Sequence, residues 1–340
     1  MIELKYFDDI PSKQDIEQTA LSSQDLIAEI ERLKKEKNAL ILAHNYQKPE
    51  IHDIADKIGD SYGLSKMATE VECDTIVFCG VRFMAETAYI LNPEKTVLLP
   101  ETEAGCGLAD EITGPQLKQW KAENPGADAV MYINCSADVK AEADVCCTSS
   151  NALHIVENMP SDTILFGPDA NLADWVSKSL KAKGSNKKII PWQGYCPVHK
   201  AVSLDMLEKT IELHPDAVII VHPECNPDVV AKADAVLSTS QMLDFVKDSP
   251  EQKFIIGTEI GLIQKAQKIC PDKEIHPIYQ HKSCDQSCAC PYMKVTNLNS
   301  VLDSLQHDRF KITVAEDIRL KALKSVEKML EIGLPKTPKN

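Results

Sequence analysis

The sequence predicts an α/β fold: three repeated parallel-sheet, Rossmann-like units set about a pseudo-threefold axis, with a metal cluster at the centre. Three observations carry this. Apolar runs that end in a polar group recur at ALILAHNY (39–46), AVMYINCS (129–136) and AVIIVHPEC (217–225). A hydroxyl at the start of a helical stretch follows each run, at Ser61, Ser149 and Thr239. A cysteine closes each unit, Cys106, Cys196 and Cys290, with spacings of 90 and 94 residues.

Runs this short and this rich in Val and Ile suit buried parallel strands. His44, Asn134 and His222 read as their matching ends, 90 and 88 residues apart. The hydroxyls follow these ends by 17, 15 and 17 residues and read as helix N-caps. A second strand comes next in each unit, at 74–80, 162–169 and 253–259, and a third at 95–101, 187–193 and 273–279. Strands alternating with helices imply parallel sheets joined by right-handed crossovers. The expected units are a helical lead-in at 1–37, repeats at 38–108, 109–198 and 199–290, and C-terminal helices and tail at 291–340. In the lead-in, Leu26, Ile30 and Leu33 follow helical spacing behind a Ser22/Ser23 cap. Near the other end, Thr313 and Glu316 form a capping-box pattern for a helix to about Ile332, with Gly333 as C-cap and PKTPKN as a frayed tail.

Composition narrows the class of partner. The 340 residues carry a formal charge of −14, which argues against nucleic acid and anionic membranes. A basic pocket for a small anion remains compatible with that charge. The charged N-terminus lacks a signal-peptide core, and no apolar stretch is long enough to span a bilayer, so a cytoplasmic protein is expected. In a reducing compartment the 12 cysteines are packing groups, catalytic groups or metal ligands. Cys73, Cys79, Cys135, Cys146, Cys147, Cys225 and Cys270 lie in or beside apolar runs and read as packing.

Parallel α/β sheets bind ligands beyond the carboxyl ends of their strands. His44, Tyr46, Asn134, His222 and Glu224 fall there, and the helix starts at Ser61, Ser149 and Thr239 offer N–H groups to anions. Cys284, Cys288 and Cys290, with His281 as a fourth ligand, would make a local zinc site. Three separated thiolates, one per unit, point instead to a [4Fe–4S] cubane with one iron lacking a protein ligand, free to act as a Lewis acid. No strand leads into GxGxxG, which argues against a nicotinamide dehydrogenase. His52, His154 and His276 read as structural, and His199, three residues after Cys196, as a lining candidate without a role.

The chain resembles the quinolinate synthase family over nearly its whole length. The carrying motifs are AHNYQKPEIHDIADKIGDS, ETEAGCGLAD, YINCSADVKAEADVCCTSSNA, FGPDANLA, WQGYCPVH, VHPEC, STSQM, IIGTE and CACPYM. The resemblance implies three α/β domains around a central [4Fe–4S] cluster. It implies condensation of iminoaspartate with dihydroxyacetone phosphate to quinolinate, with loss of phosphate and water, in NAD biosynthesis. An aspartate-oxidising enzyme would supply the unstable iminoaspartate. Cys106, Cys196 and Cys290 are implied as cluster ligands. His44, Ser61, Tyr132, Asn134, Ser149, His222, Pro223, Glu224 and Thr239 are implied to bind substrate. Tyr46, His222 and Glu224 are the expected catalytic groups, with Glu224 a general base of near-neutral pKa and Tyr46 and His222 acids or enolate stabilisers. Some relatives carry CxxCxxC near the third ligand, whereas this chain has CxxxCxC at Cys284, Cys288 and Cys290, so a disulfide based on close CxxC spacing does not transfer. The competing expectations are another hydro-lyase with a three-cysteine cluster and a non-catalytic zinc protein.

Overall fold

The computed structural model describes residues 22–278 and 288–335. His281, Cys284, the first 21 residues and the end of the PKTPKN tail lie outside them. Three four-stranded sheets are present, every pairing parallel. The first holds β1 (Ala39–His44), β2 (Lys57–Gly59), β3 (Thr75–Cys79) and β4 (Thr96–Leu98). The second holds β5 (Asp128–Tyr132), β6 (Val145–Cys147), β7 (Thr163–Gly167) and β8 (Lys188–Pro191). The third holds β9 (Val218–Val221), β10 (Ala235–Val236), β11 (Lys253–Gly257) and β12 (Glu274–Pro277). Their orders, β2-β1-β3-β4, β6-β5-β7-β8 and β10-β9-β11-β12, are the same, so the expected repeat is real. The edge strands β2, β6 and β10 were not anticipated. At two or three residues each they are too short to form an apolar run.

One hydrogen bond recurs in each unit and sets the register. The carboxylates of Asp56, Asp144 and Asp234 accept from the N–H of Ile41 (2.7 Å), Ala129 (2.7 Å) and Ile219 (2.8 Å), always 15 residues back. Each bond anchors an edge crossover to the central strand and contributes about 1 kcal/mol. Counting three residues on from each strand amide makes His44, Tyr132 and His222 equivalent. Asn134 therefore does not match His44 and His222, as the sequence suggested; its equivalents are Tyr46 and Glu224. With Tyr132 in place, all three hydroxyls follow by 17 residues (44 to 61, 132 to 149, 222 to 239). Because side chains along an extended strand repeat every second residue, a slip of two kept the apolar pattern intact and hid the error.

The hydroxyls are not caps. Asp60 caps the helix Ser61–Glu70, accepting from Gly63 N–H at 2.8 Å. Ser238 caps Thr239–Asp248 in a box with Gln241. Ser149 lies in the turn before Ala152–Glu157, which Asn151 precedes as cap. Since neighbouring residues take the capping role, the hydroxyls of Ser61, Ser149 and Thr239 are left to line the cavity.

Alternate residues of β9 and β11 pack on opposite faces of the third sheet. Ile220, Phe254 and Ile256 join one buried cluster, and Val221 and Ile255 another. The first two units share a continuous core, in which Val97 and Val130 meet Val326 and Met329 of the last helix, Glu316–Ile332. That helix begins after Ala315 without a side-chain cap, so the Thr313 capping box does not form; Gly333 ends it at φ 75°, as glycine readily does. The N-terminal helix Ser23–Glu36 buries Leu26, Ile30 and Leu33, and the Ser22 side chain caps it by accepting from Asp25 N–H. Among the described residues no helix is long and apolar enough to cross a membrane.

Candidate active site

The carboxyl ends of the three central strands open on one cavity. His44, Tyr132 and His222 end or follow those strands and line it, as do Tyr46, Asn134 and Glu224 two residues on. Ser61, Ser149 and Thr239 form part of the wall, and Cys106, Cys196 and Cys290 another part. Pro223 lies in a neighbouring groove that shares Ser149.

The cysteines occupy equivalent positions. The helix after β3, β7 or β11, the third strand of each unit, is tied at its start to the cysteine loop: Arg82 N–H donates to Ala104 O (2.7 Å), Ala170 N–H to Gly194 O (2.9 Å) and Ile260 N–H to Cys288 O (3.0 Å). Each acceptor stands two residues before Cys106, Cys196 or Cys290. Cys288 thus takes the place of Ala104 and Gly194, and its side chain joins an apolar cluster beside Cys225. The seven cysteines assigned to packing, Cys225 among them, are all buried. Two carboxylates, equivalent to each other, hold the cysteine backbones: Asp169 accepts from Cys196 N–H at 3.0 Å, and Glu259 from Cys290 N–H at 3.0 Å. Val81 holds that place in the first unit.

Burial pushes the Cys106 thiol up to about 12, against N–H groups of Ala109 and Leu108 aimed at its sulfur. Burial likewise raises Cys196 and Cys290, against the N–H groups of His199 and of Met293 and Tyr292. Sulfurs that face N–H donors in a dry pocket are arranged for thiolates, which a bound cation would complete. Cys196, His199 and Glu224 also place one ligand atom each within 4.8 Å of one another, a grouping that could hold a metal ion.

Backbone geometry sets two imidazole tautomers. Tyr46 N–H donates to His44 Nδ1 (3.1 Å), and Glu224 N–H to His222 Nδ1 (3.4 Å). Both rings are neutral, so both carry their proton on Nε2, and that of His222 lies 3.2 Å from Ser149 Oγ. Burial holds both histidines near 3. Unfolded, they would titrate near their ordinary 6.5, so between pH 6.5 and 3 the unfolded chain binds protons that the folded chain does not. Stability is therefore expected to fall as pH drops through this window, by about 2 kcal/mol per histidine at pH 5. Urea unfolding at pH 7.5 and 5 checks this, and His44→Asn/His222→Asn should flatten the slope.

Glu224 is the hub. The Tyr132 hydroxyl donates to Oε1 at 2.6 Å, and His199 Nδ1 donates to Oε2 at 3.1 Å. Burial alone would raise this carboxyl. The His199 and His222 rings beside it and the hydrogen bonds from His199 and Tyr132 outweigh that burial and hold the carboxyl below its ordinary range. At rest Glu224 is thus a carboxylate, held below the near-neutral range expected of it and free to take up a proton. His199 Nδ1 also lies 3.2 Å from Cys196 Sγ, and its Nε2 accepts from Thr258 Oγ1 at 3.0 Å. The Tyr46 hydroxyl meets the same Thr258 oxygen at 2.7 Å. His199 and Thr258 were the residues sequence reasoning left without a role. The available signal for His199 was its position one helical turn after Cys196.

A three-unit α/β chain closing on one cysteine-lined cavity defines the class: an enzyme for a small substrate, with a candidate metal site in the cavity wall. The sequence profile of the family described as Quinolinate synthetase A protein matches residues 28–331, and the chain belongs to that family. It is 49% identical over 306 residues to the quinolinate synthase of Thermodesulfovibrio yellowstonii, covering 90% of this chain and 98% of that one. The quinolinate synthase of Alkaliphilus metalliredigens is 48% identical over 312 residues, covering 92% of this chain and all of that one. That of Methanoregula boonei is 43% identical over 317 residues, covering 93% of this chain and all of that one.

Proposed function

We propose that this chain condenses iminoaspartate with dihydroxyacetone phosphate to quinolinate, releasing phosphate and water, within the central cavity. The observation that carries the reading is the meeting of three equivalent cysteines with three polar strand ends on one cavity. Cys106, Cys196 and Cys290 would hold a [4Fe–4S] cluster, and the N–H groups aimed at each sulfur fit that donor set. When bound, the cluster supplies an iron without a protein ligand, a Lewis acid for a substrate oxygen.

The protein groups divide the remaining work. The Nε2–H groups of His44 and His222, with the hydroxyls of Ser61, Ser149 and Thr239, donate to carboxylate and phosphate oxygens. Asn134 Oδ1 is buried without a partner, and an imine N–H of the substrate would satisfy it. A directed chain runs from the Tyr46 hydroxyl through Thr258 Oγ1 to His199 Nε2, and from His199 Nδ1 to Glu224. A proton leaving Tyr46 can pass to Thr258 and on to His199 Nε2, as His199 hands its Nδ1 proton to Glu224. Tyr132, donating to the same carboxylate, steadies it between transfers. Pro223 fixes the turn between His222 and Glu224 and borders the substrate from the adjoining groove that shares Ser149. The reading implies a reducing, cytoplasmic setting. It also implies supply of iminoaspartate by an aspartate-oxidising enzyme, because the imine hydrolyses in water.

A single ion held by Cys196, His199 and Glu224 is the second reading, since their ligand atoms already converge. Anaerobically purified protein, assayed with both substrates and analysed for metal, separates the two. Quinolinate formation by iron- and sulfide-loaded protein is expected. Loaded protein that makes none would sink the proposed reaction, and zinc without iron would sink the cluster.

A further inference from the structure

Asn45 follows the end of β1 and is buried, 1% exposed. The equivalent positions in the other units are Ile133 and Pro223, so an amide here is particular to the first unit. Its side chain reaches across to the third unit on both sides. Lys265, on the helix Ile260–Ile269, donates from Nζ to Asn45 Oδ1 at 2.7 Å. Asn45 Nδ2 then donates to Thr239 Oγ1 at 3.0 Å, with Ser240 Oγ farther off at 3.4 Å.

The direction of this chain follows from chemistry. An ammonium only donates, so the amide oxygen must face Lys265 and the amide nitrogen must face Thr239. Thr239 Oγ1 therefore accepts from Asn45, and its own proton is free to point elsewhere. Thr239 lies on the wall of the central cavity. Partial burial lowers the Lys265 pKa, Asp244 and Asp60 oppose that shift by stabilising the ammonium, and His44 on the cavity wall feels its charge. Asp60 in turn accepts from Ser240, which occupies that second hydroxyl.

We propose that Asn45 and Lys265 are positioning residues that commit the Thr239 hydroxyl to donating to an anionic oxygen, carboxylate or phosphate, of the bound substrate. The inference rests on the reading above in which Thr239 binds substrate. Lys265 acts without touching the substrate: it fixes the amide orientation, and its charge makes the amide N–H, and through it the Thr239 O–H, a stronger donor.

The discriminating variant is Asn45→Asp. A carboxylate there keeps the size of the side chain and strengthens the pairing with Lys265, so the fold should be retained. It has no N–H to offer Thr239 and will instead accept the threonine proton, drawing it away from the cavity. The holoenzyme is assayed for KM and kcat with dihydroxyacetone phosphate and, by anaerobic calorimetry, for the Kd of quinolinate. The first probe reports a phosphate at Thr239 and the second a carboxylate. Asn45→Asp and Thr239→Val should each weaken one of these constants roughly ten- to a hundredfold. Iron content and unfolding midpoint should stay near wild type, and kcat should fall far less than affinity. The double variant should be no weaker than either single one, because both act on one hydroxyl. Lys265→Met should show part of the loss and Lys265→Arg little. An Asn45→Asp enzyme that binds as wild type does, while Thr239→Val is weakened, would overturn the inference alone. Additive losses in the double variant would do the same, since they would mean simple charge repulsion. A Thr239→Val enzyme with unchanged affinity for both probes would instead remove Thr239 from the substrate site.

Discussion

Cys290→Ser is expected to abolish iron and sulfide binding, while Cys288→Ser leaves both in place. The argument is positional. Three cysteines crowd this stretch of sequence, and local spacing does not choose among them. The bond from Ile260 N–H to Cys288 O repeats those to Ala104 O and Gly194 O, which makes Cys290 the counterpart of Cys106 and Cys196. Cys290 lines the cavity and has its backbone N–H held by the buried Glu259, whereas Cys288 packs among apolar side chains. Serine at any of the three positions removes a soft thiolate that a hydroxyl does not replace near neutral pH. Loss of the Lewis acid should cost about 4 kcal/mol in the barrier or more, a factor of about 10³ in kcat. Anaerobic iron and sulfide analysis with low-temperature EPR reads the outcome. A cluster that survives Cys290→Ser but not Cys288→Ser would show that the equivalence does not govern ligation.

Glu224→Gln should reduce kcat by about 10²–10⁴-fold and leave iron content unchanged. This side chain accepts from Tyr132 and His199, lies 3.5 Å from His222 Nδ1 and is 3% exposed. Glutamine preserves its shape but cannot accept at both terminal atoms. One of the two incoming donors, Tyr132 O–H or His199 Nδ1–H, must then turn away. If it is His199, the path from Tyr46 loses its receiving group. Affinity for quinolinate should change little, because both Glu224 oxygens are already taken by protein donors, Tyr132 and His199. The acidic limb of the kcat profile should also disappear if this limb reports protonation of the carboxylate. A variant with near-normal kcat would remove Glu224 from the proton path and reduce it to a packing group.

Much of this molecule is written locally in its chain. The apolar runs at 39–46, 129–136 and 217–225 announce central strands because a parallel strand covered on both faces must be apolar along its length. Ser22 and Gly333 bound their helices where cap chemistry puts them. The resemblance to a known family named the cavity residues, and the structure brings all of them except Pro223 to that wall. Other features were hidden for identifiable reasons. Tyr132 ends β5 and Asn134 stands two residues beyond it, so the sequence pattern fits either one, and the Asp144 bond to Ala129 distinguishes which of them matches His44. Asp60 and Ser238 could not be told from Ser61 and Thr239 as caps, since adjacent polar residues satisfy the same sequence rule.

The sequence by itself determined the fold class, the threefold period and the return of one cysteine per unit, because each depends on residue type and spacing along a single stretch of chain. The tertiary structure alone decided which groups share protons. His199 meets Thr258 across 59 residues, Tyr132 meets Glu224 across 92, and Lys265 meets Asn45 across 220. Such pairs leave no periodic trace in sequence. They exist because three separately wound sheets aim their carboxyl ends at one space, where each buried donor must find an acceptor.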